Sequence, residues 1–131
     1  MSAPQMEENA RKEAPLMLRN ISVKFGPVGH ERVFIEFNRD ATPEISSIEG
    51  KDPRIVIDVK NVLSMRQGLK KVDVQGRLIR QIRSNLDYAS RRLRIVVDLV
   101  PAKNYDVEPV FYRAEKIYVL NISEAPVDQK K

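Results

Sequence analysis

From residue 18 to 123 apolar and polar residues alternate in short runs, and Gly, Pro and Asp interrupt those runs. A period of two sends successive side chains to opposite faces of an extended chain, so each run predicts a strand with one buried face. Eight strands are expected, over residues 18–25, 31–38, 43–48, 53–59, 78–84, 92–99, 104–110 and 116–122. Their centres are rich in Val and Ile, whose stiff branched side chains suit a pleated surface. Turn chemistry falls between them: Gly26-Pro27-Val28-Gly29, Gly50-Lys51-Asp52-Pro53 and Asn85-Leu86-Asp87-Tyr88. Between Lys60 and Gly76 the alternation loosens, and a connector with one helical turn is expected there.

The runs also echo one another. A shift of 61 to 62 residues lays Ile21 on Ile82, Glu36-Phe37 on Asp98-Leu99, Glu44-Ile45 on Asp106-Val107, and Ile55 and Ile57 on Ile117 and Val119. Two four-stranded halves, each too small to bury its own apolar face, would stabilise each other by stacking. The expected fold is therefore all-β, a sandwich of two small pseudo-symmetric four-stranded sheets.

Two of the runs share a finer pattern. Arg54-Ile-Val-Ile-Asp58 and Arg94-Ile-Val-Val-Asp98 both read Arg-x-Val-x-Asp, which puts Arg and Asp on one face of each strand. Ile55, Ile57 and Val59, like Leu93, Ile95, Val97 and Leu99, then point to the core. On sequence alone the charges serve equally well as cross-strand ion pairs or as a recognition surface.

Length allows one domain, expected over 16–123, with a polar linker at 1–15 and a short tail at 124–131. No apolar run is long enough to cross a bilayer as a helix, and the polar start lacks the apolar core of a signal peptide. There is no Cys and only one His, so thiolate and histidine-cluster metal sites are excluded, and no cofactor is expected. His30, beside the first turn, reads as a solvated residue with no Ser or carboxylate partner assignable by spacing. The chain is expected not to be an enzyme. The net charge of +5 is concentrated between Arg66 and Arg94, where nine basic residues face two acids. Such a segment draws anionic partners.

Taken in order, several segments resemble the AMIN domain: Asn20-Ile21-Ser22-Val23, Val33-x-Ile35-x-Phe37, Pro53-Arg-Ile-Val-Ile-Asp58, Gly76 to Gln81-Ile82-Arg83, Leu93-Arg-Ile-Val-Val-Asp-Leu99 and Tyr105-x-Val107. The resemblance covers about residues 16 to 123. The segment Asn61 to Gln67 and the Tyr112-Arg113-Ala114-Glu115-Lys116 turn depart from it. It implies a non-catalytic module of septal amidases and type IV pilus secretins that targets a larger exported protein to peptidoglycan in the periplasm. It transfers no ligand residue.

The candidates from the residues themselves are Arg54, Arg80, Arg83, Arg92 and Arg94, because guanidinium groups pair bidentately with carboxylates such as those of peptidoglycan stem peptides. One alternative is a protein-interaction module of a pilus or secretion assembly, docking a partner at a strand edge. The other, less favoured, is nucleic-acid binding, which needs exposed stacking aromatics where the basic segment offers only Tyr88. Phe34, Phe37, Tyr105 and Tyr118 are expected in core or inter-sheet packing.

Overall fold

Ten strands run in sequence through a computed structural model that describes residues 15–126. They are β1 (Leu16–Phe25), β2 (His30–Phe37), β3 (Glu44–Ile48), β4 (Arg54–Val59), β5 (Val62–Met65), β6 (Lys71–Asp73), β7 (Ile79–Asp87), β8 (Arg92–Leu99), β9 (Tyr105–Tyr112) and β10 (Ile117–Glu124). The first sheet has the order β5-β1-β2-β10-β9 and the second β3-β4-β8-β7-β6. Their inward side chains merge in one core that includes Leu18, Val33, Ile35, Leu120 and Ile122 from the first sheet and Ile55, Ile57, Ile82, Leu93, Ile95 and Val97 from the second. The fold is all-β, as the alternation requires. The expected terminal linker and tail lie outside the described residues, apart from Pro15 and Glu124 to Pro126.

Each sheet has five strands rather than four. The fifth comes in both cases from the 60–76 connector, which holds two short strands and no helical turn. Val62 is fully buried and β5 lies parallel to β1, while β6 pairs with β7. A strand of three or four residues is too short to show an alternation, so its signal is lost in a polar connector.

The sheets also interleave the halves of the chain. The first takes β1, β2, β9 and β10, and the second β3, β4, β7 and β8. Several features recur between them. β2 and β8 have the same order of buried and exposed positions. A register irregularity lies at Leu18/Asn20 in β1 and again at Ile79/Gln81 in β7. These bulges let Leu18 and Ile21, or Ile79 and Ile82, three residues apart, all reach the core. For β4 and β10 the registers run Arg54↔Asp98 and Ile117↔Glu36, which sets Ile55 and Ile57 against Tyr118 and Leu120, one residue on from the sequence overlay. A slip of one matters, since it exchanges core and solvent faces.

The turn expected at Asn85–Tyr88 falls later. Leu86 is buried opposite Leu93, so β7 continues to Asp87. Asp87 Oδ1 then accepts from the N–H groups of Ala89 and Ser90, and Arg91 closes the turn with φ 60°. Phe37 and Tyr118 are core and Tyr105 packs against it, but Phe34 faces outward. Its ring lies under Lys24 and Arg32, at 5.0 and 5.7 Å, on the outer side of the first sheet.

One buried carboxylate ties the two sheets together. Glu31 on β2 is only 4% exposed. It accepts from the N–H groups of Arg77 (2.8 Å) and Leu78 (3.2 Å) through Oε2, and from Ile79 (3.0 Å) through Oε1. Those donors sit in the turn that leads into β7 of the opposite sheet. A Cβ on Gly76 would stand 2.7 and 2.8 Å from the two Glu31 oxygens and 2.8 Å from the Phe25 ring. Gly76 is therefore set by space, because the backbone must come this close for the carboxylate to reach its donors.

Candidate ligand-binding face

The outer side of the second sheet carries the Arg-x-Val-x-Asp strands side by side. β4 and β8 are antiparallel, so the Arg of each motif stands opposite the Asp of the other: Arg54↔Asp98 and Asp58↔Arg94. One of these oppositions becomes an ion pair. Arg94 donates from Nε and Nη2 to the two Asp58 oxygens at 2.8 and 3.1 Å. At the other, Asp98 turns to β7, where Arg83 donates from Nε and Nη2 at 2.7 and 2.9 Å and Gln81 Nε2 at 2.9 Å. Arg54 instead donates to the Asp52 carbonyl at 2.8 Å. The ion-pair reading of these charges holds for Arg83 and Arg94.

The bulge at Ile79/Gln81 has a consequence for this face. It turns both Arg80 and Gln81 away from the core in succession, where a regular strand would have sent one of them inward. Arg54, Arg80, Arg83 and Arg94 thereby surround one depression of about 600 Å³. Val56 and Val96 form its floor, and Ile48, Pro53 and Leu99 its margin. Val56 points outward yet is only 6% exposed, so the surrounding side chains cover it. Of the five sequence candidates Arg92 stands apart, at the far end of β8 opposite Asp87.

The electrostatics separate fixed from available cations. Burial opposes charge on Asp98, but hydrogen bonds from Arg83 and Gln81 outweigh it and hold the carboxyl below its ordinary value of 3.8. The hydrogen bond from Arg94 does the same for the more exposed Asp58. The same bonds raise the pKa of Arg83 and Arg94. Arg54 and Arg80 have no ion pair among the described residues, although Arg80 still contributes charge that favours the Asp98 anion. The depression therefore has two guanidinium groups locked by carboxylates and two open to an incoming anion.

A folded-state pKa below the unfolded one adds stability that is complete above the ordinary carboxylate range and is lost as the pH falls through the folded value. The urea midpoint is accordingly expected to decline as the pH falls below the ordinary carboxylate value of 3.8, and Asp98→Asn to flatten part of that decline. An unchanged acid profile in the variant would mean that Arg83 does not stabilise the Asp98 anion.

Sequence reasoning found four arginines of this depression and missed what supports them. Gln81 was hidden by the bulge, whereas Val56 and Val96 lie on the arginine face as the Arg-x-Val-x-Asp parity requires. Glu31 had a signal, because it shares parity with Val33, Ile35 and Phe37 on an inward face. His30 is exposed at the start of β2. No group of three or more His, Cys, Asp or Glu able to hold a metal occurs among the described residues, and no helix is long and apolar enough to cross a membrane.

Comparison with curated proteins finds no match. Comparison with protein families matches the AMIN domain over residues 20–126, which takes in nearly all of both sheets. AMIN domains are non-catalytic peptidoglycan-targeting modules of amidases and secretins, found in envelope proteins. With the ordered motifs, the two sheets and most of its length accounted for, this chain belongs to the AMIN domain family.

Proposed function

We propose that the chain is a non-catalytic cell-envelope targeting module that binds peptidoglycan through the outer face of its second sheet, as part of a larger exported bacterial protein working in the periplasm. The observation that carries this reading is the gathering of Arg54, Arg80, Arg83 and Arg94 around one depression with an apolar floor. Stem peptides offer carboxylates for the guanidinium groups and short aliphatic side chains for Val56 and Val96. The locked pairs, Arg83–Asp98 and Arg94–Asp58, hold the walls, and Arg54 and Arg80 take the ligand carboxylate.

We also read the two sheets as pseudo-symmetric, supported by the shared burial order of β2 and β8 and the matching bulges in β1 and β7. Under that correspondence the first sheet keeps Arg19 and Arg32 where the second has Arg80 and Arg94, but presents Ile117 where it has Arg54 and Ser22 where it has Arg83. This favours the second sheet as the anion-binding one. The depression has no aromatic lining residue on which a base could stack, which disfavours single-stranded nucleic acid.

The full chain is expected to sediment with purified peptidoglycan at about 0.05 M salt and to be released at about 0.5 M, because exposed charge contacts are screened over that range. Protein left in the supernatant at low salt sinks the proposal.

A further inference from the structure

Four strands end the two sheets, and three of them are blunted against pairing. β9 carries Pro109 between the acids Asp106 and Glu108 and the hairpin to β10, β6 is three residues long with Lys71 and Asp73, and β5 is four residues long. Short length, proline and charge are the usual protections of an exposed edge. β3, five residues long, has neither proline nor charge over Ile45-Ser46-Ser47-Ile48, and its register with β4 runs without a bulge. An edge strand presents unpaired N–H and C=O groups along its open side. Ile48 is 39% exposed there.

A cleft opens beneath this same edge. Ser47 lies opposite Ile55 and shares its inward parity, yet it is small and polar. The gap it leaves between β3 and the β9 side of the first sheet is about 420 Å³, with Ile55, Leu99, Tyr105 and Val107 among its apolar walls. The Tyr105 hydroxyl is committed to the Val100 carbonyl. A strand added beside β3 would send every second side chain toward this cleft.

Charge tells what such a strand must be. Glu44 and Glu49 bracket β3, and neither has an ion pair among the described residues, while Lys103 at the cleft is already paired with Glu124 at 3.5 Å. In a chain of net charge +5 both ends of this strand are acidic. A second copy of the chain fits badly, since antiparallel pairing centred on Ser46-Ser47 sets Glu44 against Glu49, and like charges directly opposite destabilise a pair.

We propose that the free edge of β3 accepts an extended, basic-ended peptide segment of a partner protein, which adds a sixth strand to the second sheet and places an apolar side chain in the cleft beside Ser47. Main-chain hydrogen bonds supply the affinity, the cleft selects the central residue, and Glu44 and Glu49 select the ends. The site adjoins the arginine depression and shares Arg54 with it but not Arg80, Arg83 or Arg94, so those three tell this inference apart from the wall-binding reading.

The test uses the full chain and a labelled peptide, Lys-Lys-Val-Thr-Ile-Thr-Lys-Lys, followed by fluorescence anisotropy and amide NMR. Saturable binding is expected, with shifts centred on Ile45 to Glu49 and Tyr105 to Val107. The double variant Glu44→Lys/Glu49→Lys, which changes only exposed side chains, is expected to weaken it about tenfold or more. Ser47→Trp should fill the cleft and abolish binding, while the same peptide with glutamate ends should not bind the unaltered chain. Absence of saturable binding overturns the proposal, as do shifts centred on Arg80 and Arg83 or undiminished affinity in the double variant. Dimerisation of the free chain through β3 would also overturn it, by making a second copy the occupant.

Discussion

Glu31→Ala is expected to destabilise the domain by about 3–5 kcal/mol, the largest effect expected of a single polar substitution among the described residues. The alanine leaves three backbone donors without their acceptor. Arg77 is exposed and its N–H reaches water, but Leu78 and Ile79 are fully buried. An orphaned buried donor costs about 1–3 kcal/mol, and the cavity left by the missing side chain adds to that. For a domain of this size the melting temperature should fall by about 10–20 °C. Glu31→Gln keeps one acceptor oxygen but turns an amide N–H₂ toward a donor, so it is expected to lie between the two. A melting temperature within a few degrees of the parent for Glu31→Ala would mean that the carboxylate is not what joins β2 to the start of β7.

The same contact makes a second, coupled statement about Gly76. Its added Cβ would meet both Glu31 oxygens and the Phe25 ring at under 3 Å. The glutamate is a flexible side chain, but three N–H bonds pin its end, so it cannot swing aside without releasing them. Gly76→Ala should therefore cost much of what Glu31→Ala costs, and the two should not add. In a double-mutant cycle the pair is expected to be less damaging than the sum of the singles by more than about 1 kcal/mol. Additive costs would separate the glycine from the carboxylate.

The strands that carry this fold were legible because their alternation is long. Arg92–Leu99 runs its full length with Leu93, Ile95, Val97 and Leu99 inward, and the structure buries all four. Legibility failed where the period breaks or the span is short. The bulge in β7 removes the alternation between Ile79 and Ile82, which concealed that Arg80 and Gln81 share a face. β5 and β6 are too brief to show any period, so the count of strands per sheet came out one short. Phe34 was misassigned for a different reason: an aromatic residue was given to the core by type, although its parity with Ser22 and Val119 sets it outward. The arginine cluster could be named from the sequence, but its division into locked and open members could not. That division depends on Asp98 turning from Arg54 on β4 to Arg83 on β7, a choice made in three dimensions.

Arg54→Glu/Arg80→Glu should lower the affinity for peptidoglycan about 10²-fold or more without unfolding the domain. Both side chains lie at the rim of the depression and neither holds an ion pair, so the fold loses little when they change. Each charge-assisted hydrogen bond to a ligand carboxylate is worth about 1.5–3 kcal/mol, and every 1.4 kcal/mol is a factor of ten in binding. Reversing the sign adds repulsion at the place where the carboxylate would sit. Arg83→Glu should behave differently. It removes the partner of Asp98 and sets two carboxylates together on adjacent strands, so stability and binding should fall together. Arg94→Glu does the same to the more exposed Asp58 pair, where solvent screening leaves little stability to lose. The measurement is the bound fraction in peptidoglycan sedimentation, read beside urea midpoints for each variant. If Arg54→Glu/Arg80→Glu binds like the parent while Arg83→Glu loses binding and keeps its midpoint, the open and locked roles are assigned the wrong way round. If none of the variants changes the bound fraction, the wall contacts another surface of the domain.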